Sequence, residues 1–340
     1  MVPHPSVIVL EHTSECLRDN AMGDPHVRRL PVYLPPGYAE GRHQRLPVVY
    51  LLAGWSGRGA HYLGDPGVFA PSLADELDRR ILSGALPPVL VAFPDCSSRL
   101  GASQYVNSAA NGPYMDYLCD ELVPFVDQAF RTDARRERRA LVGHSSGGFG
   151  ALVTGMLRPD RFAAVGSSAG DSWYEFLYVH TLPQTLGAIR KAGSVEAFLA
   201  AWLASPNPRG LLGPDAEAAM LSLSMCPCYA PNLAVPVLRG DLYFDAETGA
   251  LVPEVWQKFL AWDPVLMVDR HRDALRSLRA IDLEAGSDDE YGLHLGHRQL
   301  ARALGLHGIA HRIAEYPGKH GGHHYRMPDR ILRLLAALGV

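Results

Sequence analysis

The residues best suited to chemistry form a run of five, residues 143–147, which matches the pattern G-x-S-x-G. In this pattern a sharp turn from strand to helix exposes the serine hydroxyl, and small residues let the two elements pack closely. The apolar residues 140–142 precede the run, and Gly148 and Gly150 lead into a helix-like stretch. This arrangement predicts Ser145 as a nucleophile.

A second match to the same pattern occupies residues 166–170 and makes Ser168 a rival nucleophile. It also follows an apolar run, so the motif alone does not choose between the two serines. Residues 171–173 then supply no helix that could pack closely behind the turn. The sequence therefore favours Ser145, with Ser168 or two purely structural turns as the alternatives.

Acyl transfer also needs N–H groups that point at the oxyanion formed during the reaction. One expected donor is the backbone N–H of Ser146, the residue after the nucleophile. The second is expected from the small residues 53–57, which follow the apolar run 48–52, and we select the N–H of Trp55. The alternative is that residues 53–57 are an ordinary turn at the end of a strand.

A serine nucleophile further needs a carboxylate that orients the histidine base and stabilises its charged form. With a G-x-S-x-G serine the chain order is serine, acid, histidine. Residues 286–290 follow a strand-like run and contain three carboxylates, of which Asp289 is the predicted acid. Asp288 and Glu290 are expected to be solvated or to cap the next helix.

Three histidines follow the last strand-like run, and the first of them, His320, is the predicted base. His323 is the alternative. Together with His324 these histidines also suggest a metal site as an alternative. Neither an H-E-x-x-H pattern nor a cysteine pair lies beside them, which disfavours that alternative. We therefore expect no metal and no cofactor.

The elements that must position these residues alternate between strands and helices, which indicates an α/β fold with a mostly parallel sheet covered on both faces. Apolar runs predict buried strands at residues 48–52, 89–93, 140–142, 162–165, 280–283 and 311–316, and edge strands at residues 7–10 and 29–34. Residues 114–130 are predicted to be helical, with a kink or a new turn at Pro124.

Residues 171–268 break the strand–helix alternation and contain four of the five tryptophans. We predict that residues 1–170 and 269–340 form the core and that residues 171–268 form a helical insertion, a lid rather than an independent domain. The tryptophans of the insertion either line a pocket for an apolar or aromatic group or pack inside the lid, and the sequence leaves both open. They are Trp173, Trp202, Trp256 and Trp262.

Composition excludes several other classes of protein. The 32 Lys and Arg against 36 Asp and Glu give a net charge of −4, so no basic excess favours nucleic acid. No run approaches the roughly 18 apolar residues of a membrane span. Residues 1–5 lack the start of a signal peptide, and the five cysteines are odd in number and scattered, as in a cytoplasmic protein.

Several of these stretches resemble the putative esterase family of α/β-hydrolases. The likeness rests on residues 50–54, 143–148, 286–291 and 315–320, and on residues 104–124. That family includes S-formylglutathione hydrolases, feruloyl and acetylxylan esterases, enterochelin esterases and mycolyltransferases. The resemblance implies an α/β-hydrolase fold, and it supports Ser145, Asp289 and His320 as the triad.

Two positions depart from the family's pattern. Lys319 stands where the family's Y-P-G-G-H ending has its second glycine, and Ala53 stands where many members have histidine. The oxyanion donor is a backbone N–H, so Ala53 does not remove it. The substrate is not fixed by the resemblance.

The sequence thus predicts a serine carboxylic-ester hydrolase that acts on a small ester through an acyl-enzyme. An acyltransferase with the same triad and a non-catalytic hydrolase-like binding protein are the alternatives. The expected partner is a small-molecule substrate, with neither nucleic acid nor membrane, and the sequence leaves open whether the protein forms a homo-oligomer.

Overall fold

The computed structural model describes residues 4–41, 45–64 and 71–340, so residues 1–3 of the N-terminal stretch considered above lie outside it. The strands of these residues are β1 (Val7–Thr13), β2 (Val27–Tyr33), β3 (Val48–Leu52), β4 (Leu90–Ala92), β5 (Ser97–Ser98), β6 (Gly101–Ala102), β7 (Asn107–Ser108), β8 (Gly112–Pro113), β9 (Arg139–His144), β10 (Ala164–Ser168), β11 (Ala280–Gly286) and β12 (Arg312–Tyr316). Strands β5 to β8 form two small antiparallel pairs, and the others form one sheet.

The main sheet has the order β1-β2-β4-β3-β9-β10-β11-β12. Its members from β4 to β12 are parallel, and β2 pairs antiparallel with both β1 and β4. The carboxyl ends of β3, β9, β10, β11 and β12 therefore meet at one edge of the sheet. Every predicted site residue follows one of these ends.

The helices are α1 (Leu73–Leu82), α2 (Tyr114–Asp116), α3 (Val123–Ala129), α4 (Ser146–Leu157), α5 (Tyr174–His180), α6 (Leu182–Ala192), α7 (Val195–Ala204), α8 (Pro208–Leu211), α9 (Pro214–Tyr229), α10 (Pro253–Leu260), α11 (Pro264–Met267), α12 (Arg272–Arg276), α13 (Leu293–Leu306) and α14 (Met327–Ala337). Short 3-10 helices cover Gly59–Leu63, Arg136–Arg138 and His324–Arg326. None of the helices in the described ranges is both long and apolar enough to cross a membrane.

Both faces of the sheet are covered, as the continuous apolar runs predict. Val48, Tyr50 and Leu52 of β3 pack into the core that contains α4, whereas Val49 and Leu51 pack into the core that contains α1 and α14. Side chains of a strand alternate between its two faces, so an all-apolar strand requires a core on each side. The predicted α/β fold class is confirmed.

Two strand predictions are wrong. The strand near residues 29–34 was expected at an edge, but β2 lies between β1 and β4. Pro31 has no N–H to donate, yet its carbonyl accepts a hydrogen bond from Phe93 N at 2.9 Å, so the proline does not exclude an inner position. Conversely, β12 was expected to be buried but is the last strand of the sheet, and Ile313 is 38% exposed.

The helix predicted over residues 114–130 contains a π-helical turn, Tyr117–Leu122, between α2 and α3. Pro124 follows this turn as one of the first residues of α3. A proline cannot donate to the carbonyl four residues earlier, and its ring crowds that carbonyl. The kink predicted at Pro124 is thus present as the wider π-helical turn directly before α3.

Between β10 and β11 the chain contains helices α5 to α12. Aromatic rings from several of them pack on one another in the core, among them Tyr174, Tyr178, Tyr229, Tyr243 and Phe259. This stretch contains the insertion predicted at residues 171–268, and the assignment of that insertion as a lid remains a prediction.

Candidate active site

Ser145 occupies a strained turn between β9 and α4, with φ 56° and ψ −128°. This left-handed conformation is unfavourable for a residue with a side chain and is held by the surrounding structure. Ser145 N donates to Ser168 O at 2.9 Å, and Ser145 O accepts from Phe149 N at 2.9 Å. A Cβ atom at Gly143 would collide with the backbone of Gly147, and one at Gly147 with the backbone of Leu52, so glycine at both positions lets α4 approach β9 and the end of β3.

The loop after β3 lies directly against this turn. A Cβ atom at Gly54 would be 3.3 Å from the Ser145 Cβ atom. Tyr105 holds the loop from behind, because its hydroxyl donates to Ala53 O at 2.6 Å. The backbone N–H groups of Trp55 and Ser146 donate to no protein acceptor among the described residues. Both are therefore available to another acceptor.

Asp289 and His320 form a close pair, with Asp289 Oδ2 2.8 Å from His320 Nδ1. Asp289 Oδ1 accepts hydrogen bonds from Tyr291 N at 2.9 Å and Leu293 N at 3.4 Å. Burial alone would raise the pKa of Asp289, but the hydrogen bond and charge of His320, with the two N–H donors, hold it below its usual range. Asp289 is thus held as a carboxylate with its side chain fully buried.

Glu290, which was expected to be solvated or to cap a helix, fixes the backbone of the histidine. Its Oε2 accepts a hydrogen bond from His320 N at 2.9 Å. Tyr291 lies with its ring edge against the imidazole, at 4.8 Å between centroids. Three consecutive residues of the loop after β11 therefore contact His320, which keeps 16% of its side chain exposed.

Ser145 and His320 line one cavity of about 410 Å³, together with Trp55. No hydrogen bond within 3.5 Å joins Ser145 Oγ to His320, both of which lie in the described part of the chain. Such bonds are often long in proteins without substrate and shorten in the complex. The structure thus brings the predicted serine, acid, histidine and N–H donors to one site, with the serine–histidine contact open.

His144 is a component of the site that sequence reasoning missed. Its ring centroid lies 4.6 Å from that of His320, and its Nδ1 lies 3.1 Å from Ser168 Oγ. Burial, followed by the nearby charge of His320, lowers the pKa of His144 well below its usual value. His144 is therefore neutral and packs against His320 without adding charge. Its place directly before Ser145 was the available signal.

The alternative residues lie elsewhere. Ser168 is fully buried at the end of β10, outside the lining of the cavity. His323 Nε2 lies 2.7 Å from Lys319 O, and its ring packs against Tyr316. His324 packs between His61 and Tyr62. The three neighbouring histidines thus make different contacts, although His320 and His324 line the same cavity.

Among residues 4–41, 45–64 and 71–340 no three His, Cys, Asp or Glu side chains are grouped as metal ligands. Cys16, Cys96, Cys119, Cys226 and Cys228 are free thiols. All but Cys16 are buried.

The four tryptophans of the insertion are absent from the cavity lining. Trp256 packs on Tyr243, and Trp262 packs on Tyr229. Trp173 stacks on Phe176. Of the two readings left open, these three rings fit packing within the helical stretch.

Trp202 differs from the other three, because its ring lies 6.3 Å from Trp55, centroid to centroid. Trp55 itself lines the cavity. Trp202 therefore touches the site only through Trp55. From the insertion the apolar lining includes Leu177, Tyr178 and Leu221, and Leu293 of α13 adds to it.

Asp171, in the loop after β10, also lines the cavity, although the sequence analysis gave it no role. It is 4% exposed. Its Oδ2 accepts from Gln104 Nε2 at 3.0 Å and from Ser146 Oγ at 3.5 Å. Burial raises the pKa of Asp171 to about 6. An acid directly after a parallel strand was the available signal.

Comparison with known proteins agrees with this architecture. The family model described as Putative esterase matches residues 21–328. An endo-1,4-beta-xylanase/feruloyl esterase of Xylanibacter ruminicola is 28% identical over 147 residues, 42% of this chain and 19% of that protein. An S-formylglutathione hydrolase of Paracoccus denitrificans is 30% identical over 157 residues, 41% of this chain and 50% of that protein.

These two alignments span half or less of the curated relatives. Among solved structures, a ferulic acid esterase aligns over 98% of both chains with a TM-score of 0.64 and 17% identity. At 17% identity this alignment shows the fold alone. The alignment confirms the α/β-hydrolase fold that the resemblance implied. With a family model that matches most of its length, this chain belongs to the putative esterase family of α/β-hydrolases.

Proposed function

We propose that this protein is a serine hydrolase of small carboxylic esters, with Ser145, His320 and Asp289 as its triad. The observation that carries the proposal is the Asp289–His320 pair, 2.8 Å apart, on the cavity that also exposes Ser145 in its strained turn. A nucleophile, a base and an orienting acid on one cavity are the parts that acyl transfer needs.

The first step is attack by Ser145 Oγ on the acyl carbon of the ester. The hydrogen bond to Asp289 requires the proton of the imidazole to be on Nδ1 of His320, which leaves Nε2 free to accept the serine proton. The buried carboxylate then stabilises the imidazolium. The N–H groups of Trp55 and Ser146 are the proposed donors to the tetrahedral oxyanion.

Collapse of the tetrahedral intermediate breaks the bond between the acyl carbon and the alkoxy oxygen. His320 gives its proton to the departing alcohol, and the acyl group stays on Ser145 as an ester. A water molecule then loses a proton to His320 and attacks the acyl carbon. The bond between that carbon and Ser145 Oγ breaks, His320 returns the proton to Oγ, and the carboxylic acid is released. No cofactor enters either half of the reaction.

The substrate that we propose is a small ester with an apolar or aromatic group. The cavity volume of about 410 Å³ and the lining by Leu177, Tyr178 and Leu221 support this size and character. The relative named a feruloyl esterase supports it as well, since a feruloyl group is aromatic. We further propose that residues 171–268 act as the lid, since Leu177, Tyr178 and Leu221 all belong to them.

Turnover of p-nitrophenyl esters of increasing acyl length, with and without added methanol, tests this function. We expect release of p-nitrophenol for short and medium acyl groups, with the free acid as the main product. Formation of methyl ester as the main product at millimolar methanol would instead indicate an acyltransferase. Absence of turnover for every ester would overturn the proposal.

A further inference from the structure

The carboxyl group of Asp171 has a place in the cavity that the triad does not explain. It follows β10, the strand next to β11, which Asp289 follows, and it lines the same cavity as Ser145 and His320. Its neighbour Ser146 is the residue directly after the nucleophile. The Cα atoms of Ser145 and Ser146 are about 3.8 Å apart, as for any two successive residues. A substrate group that contacts Asp171 therefore lies within a few bonds of the carbonyl that Ser145 attacks.

The hydrogen bonds of Asp171 are unevenly distributed over its two oxygens. Oδ2 accepts both bonds, from Gln104 Nε2 at 3.0 Å and from Ser146 Oγ at 3.5 Å. Oδ1 accepts none from any residue that the structure describes. A carboxylate has about four acceptor positions. One oxygen of this buried group is thus left without a protein partner.

The charge of Asp171 is balanced in part by the nearby His320, but not by an ion pair. The other carboxylate that lines the cavity, Glu217, forms an ion pair with Arg209 at 3.0 Å. Asp289 is matched by His320 and two N–H donors. No arginine or lysine within 4 Å pairs with Asp171 in the described ranges. Since a buried, unpaired carboxylate is costly, a ligand that supplies the missing donor gains binding energy there.

Around pH 7.5 this group is mainly ionised, because burial raises the pKa of Asp171 only to about 6. An anion in a poorly hydrated wall attracts hydrogen-bond donors and cations, and it repels other anions. The apolar neighbours Leu177 and Leu221 accommodate the hydrocarbon of a substrate but offer nothing to Oδ1.

We propose that Asp171 is a substrate-selecting residue whose Oδ1 accepts a hydrogen bond from a hydroxyl or ammonium group carried by the ester, near its carbonyl. An ester with an anionic group at the same position is excluded. This inference rests on the proposed ester hydrolysis and deepens it by naming a substrate class. Asp171 binds and selects, and it takes no part in proton transfer.

The test compares four methyl esters with similar carbon skeletons at about pH 7.5, with acid release followed by titration. They are methyl butanoate, methyl 3-hydroxybutanoate, methyl 3-aminobutanoate and monomethyl succinate. For the unmodified protein we expect kcat/KM for the hydroxy and amino esters to exceed that for the succinate ester by about 100-fold. One hydrogen bond to a charged group accounts for about tenfold or more, and charge repulsion adds to it.

Asp171→Asn keeps the shape and one carbonyl oxygen but removes the charge. We expect the ratio of kcat/KM for the amino ester over the succinate ester to fall by tenfold or more. Asp171→Ala, which lacks any acceptor, should also lose the preference for the hydroxy ester over methyl butanoate. The control is Glu254→Gln, because Glu254 is an exposed carboxylate on α10 outside the cavity lining, and this change should leave the ratios within about threefold.

The proposal would be overturned if Asp171→Asn left the amino-to-succinate ratio unchanged, or if Glu254→Gln lowered that ratio as much as Asp171→Asn does. If both Asp171 variants fail to fold, the unmodified protein decides, since equal turnover of the amino and succinate esters contradicts a selecting anion. If Ser145-dependent hydrolysis is seen for all four esters without discrimination, only the role of Asp171 fails. If none of the four, and no p-nitrophenyl ester, is hydrolysed, the proposed function fails with it.

Discussion

The turns after β9 and β10 share the pattern G-x-S-x-G but differ in almost every physical respect. Ser145 has a positive φ, is followed at once by α4 and lines the cavity. Ser168 is the last residue of β10 and is fully buried. Its Oγ lies 3.1 Å from His144 Nδ1. Of the two turns, the one after β9 has a helix directly behind its serine and places that serine on the cavity, as the proposed nucleophile requires.

The second turn supports the first. Ser168 O accepts the hydrogen bond of Ser145 N, and Ser168 Oγ holds the His144 ring that packs on His320. On its other side, Ala169 N donates to Glu284 O at 2.8 Å. The β10 turn is therefore a buried support between the reactive turn and the next strand.

Replacing each serine in turn tests whether the two turns have different roles. Loss of a nucleophile that acts together with its base costs on the order of 10⁶ in kcat. We expect that loss for Ser145→Ala, measured with p-nitrophenyl acetate. Ser168→Ala should stay within about 100-fold of the unmodified protein, because only its support of Ser145 and His144 is lost. The reverse order would exchange the roles of the two turns.

A smaller loss is expected when the acid is neutralised. Asp289→Asn keeps the geometry but replaces the acceptor for His320 Nδ1–H, and a loss of roughly 10⁴ in kcat follows from the wrong imidazole tautomer. The matched control is Asp288→Asn, since Asp288 is exposed and bonds only Ser287 Oγ among side chains. Equal activity of the two variants, measured by steady-state kinetics, would contradict Asp289 as the acid.

The first glycines of the two motifs should differ in stability. A Cβ atom at Gly143 would collide with the backbone of Gly147, which cannot move without displacing α4. At Gly166 it would meet the ends of Val142 and Leu334 at 3.0 and 3.2 Å, and side chains can shift. We expect Gly143→Ala to lower the free energy of unfolding by roughly 3 kcal/mol and Gly166→Ala by about 1 kcal/mol. Urea denaturation measures both, and equal losses would contradict the difference in packing.

Glu284, next to the β10 turn, forms ion pairs that should make the free energy of unfolding depend on pH in the acid range. Glu284 accepts from Arg330 Nε at 2.6 Å, Arg326 Nε at 3.1 Å and Arg333 Nη2 at 2.7 Å. Burial alone would raise the pKa of Glu284, but the arginines outweigh it and lower the pKa to about 2. Since the folded value is below the unfolded value of about 4.5, the stabilisation is present above pH 4.5 and is lost as the pH falls toward 2.

Glu284→Gln should therefore lower the free energy of unfolding at neutral pH by about 3 kcal/mol and flatten its change between about pH 5 and 2. Thermal unfolding over that range measures the effect. Glu254→Gln is the control, because Glu254 is exposed on α10. If both variants keep the pH dependence of the unmodified protein, the ion pairs of Glu284 contribute nothing to stability.

The sequence was sufficient to predict the fold class and the residues at the strand ends, because both depend on local patterns. Apolar runs locate parallel strands, and the carboxyl ends of such strands meet at one edge, so Ser145, Asp289 and His320 follow from their positions after those runs. The prediction of His320 over His323 used its earlier place after the strand and the family resemblance, and the structure places His320 against Asp289.

The roles of other residues depend on contacts between distant segments, which local patterns do not contain. From the sequence Glu290 is expected to be solvated or to cap a helix. Its hydrogen bond to His320 N is visible only once the two loops are placed side by side. Asp171 reads as the start of an insertion until Gln104 and Ser146 surround it. The inner position of β2 likewise depends on its pairing with β4, a contact between segments about 60 residues apart in the chain.

The most direct test of the central claim is to react the protein with a fluorophosphonate, which bonds covalently to an activated serine, and to map the modified peptide by mass spectrometry. We expect one equivalent of label on Ser145, abolished in Ser145→Ala and retained in Ser168→Ala. Label on Ser168, or equal label on both serines, would contradict the assignment of the β9 turn as the nucleophile turn.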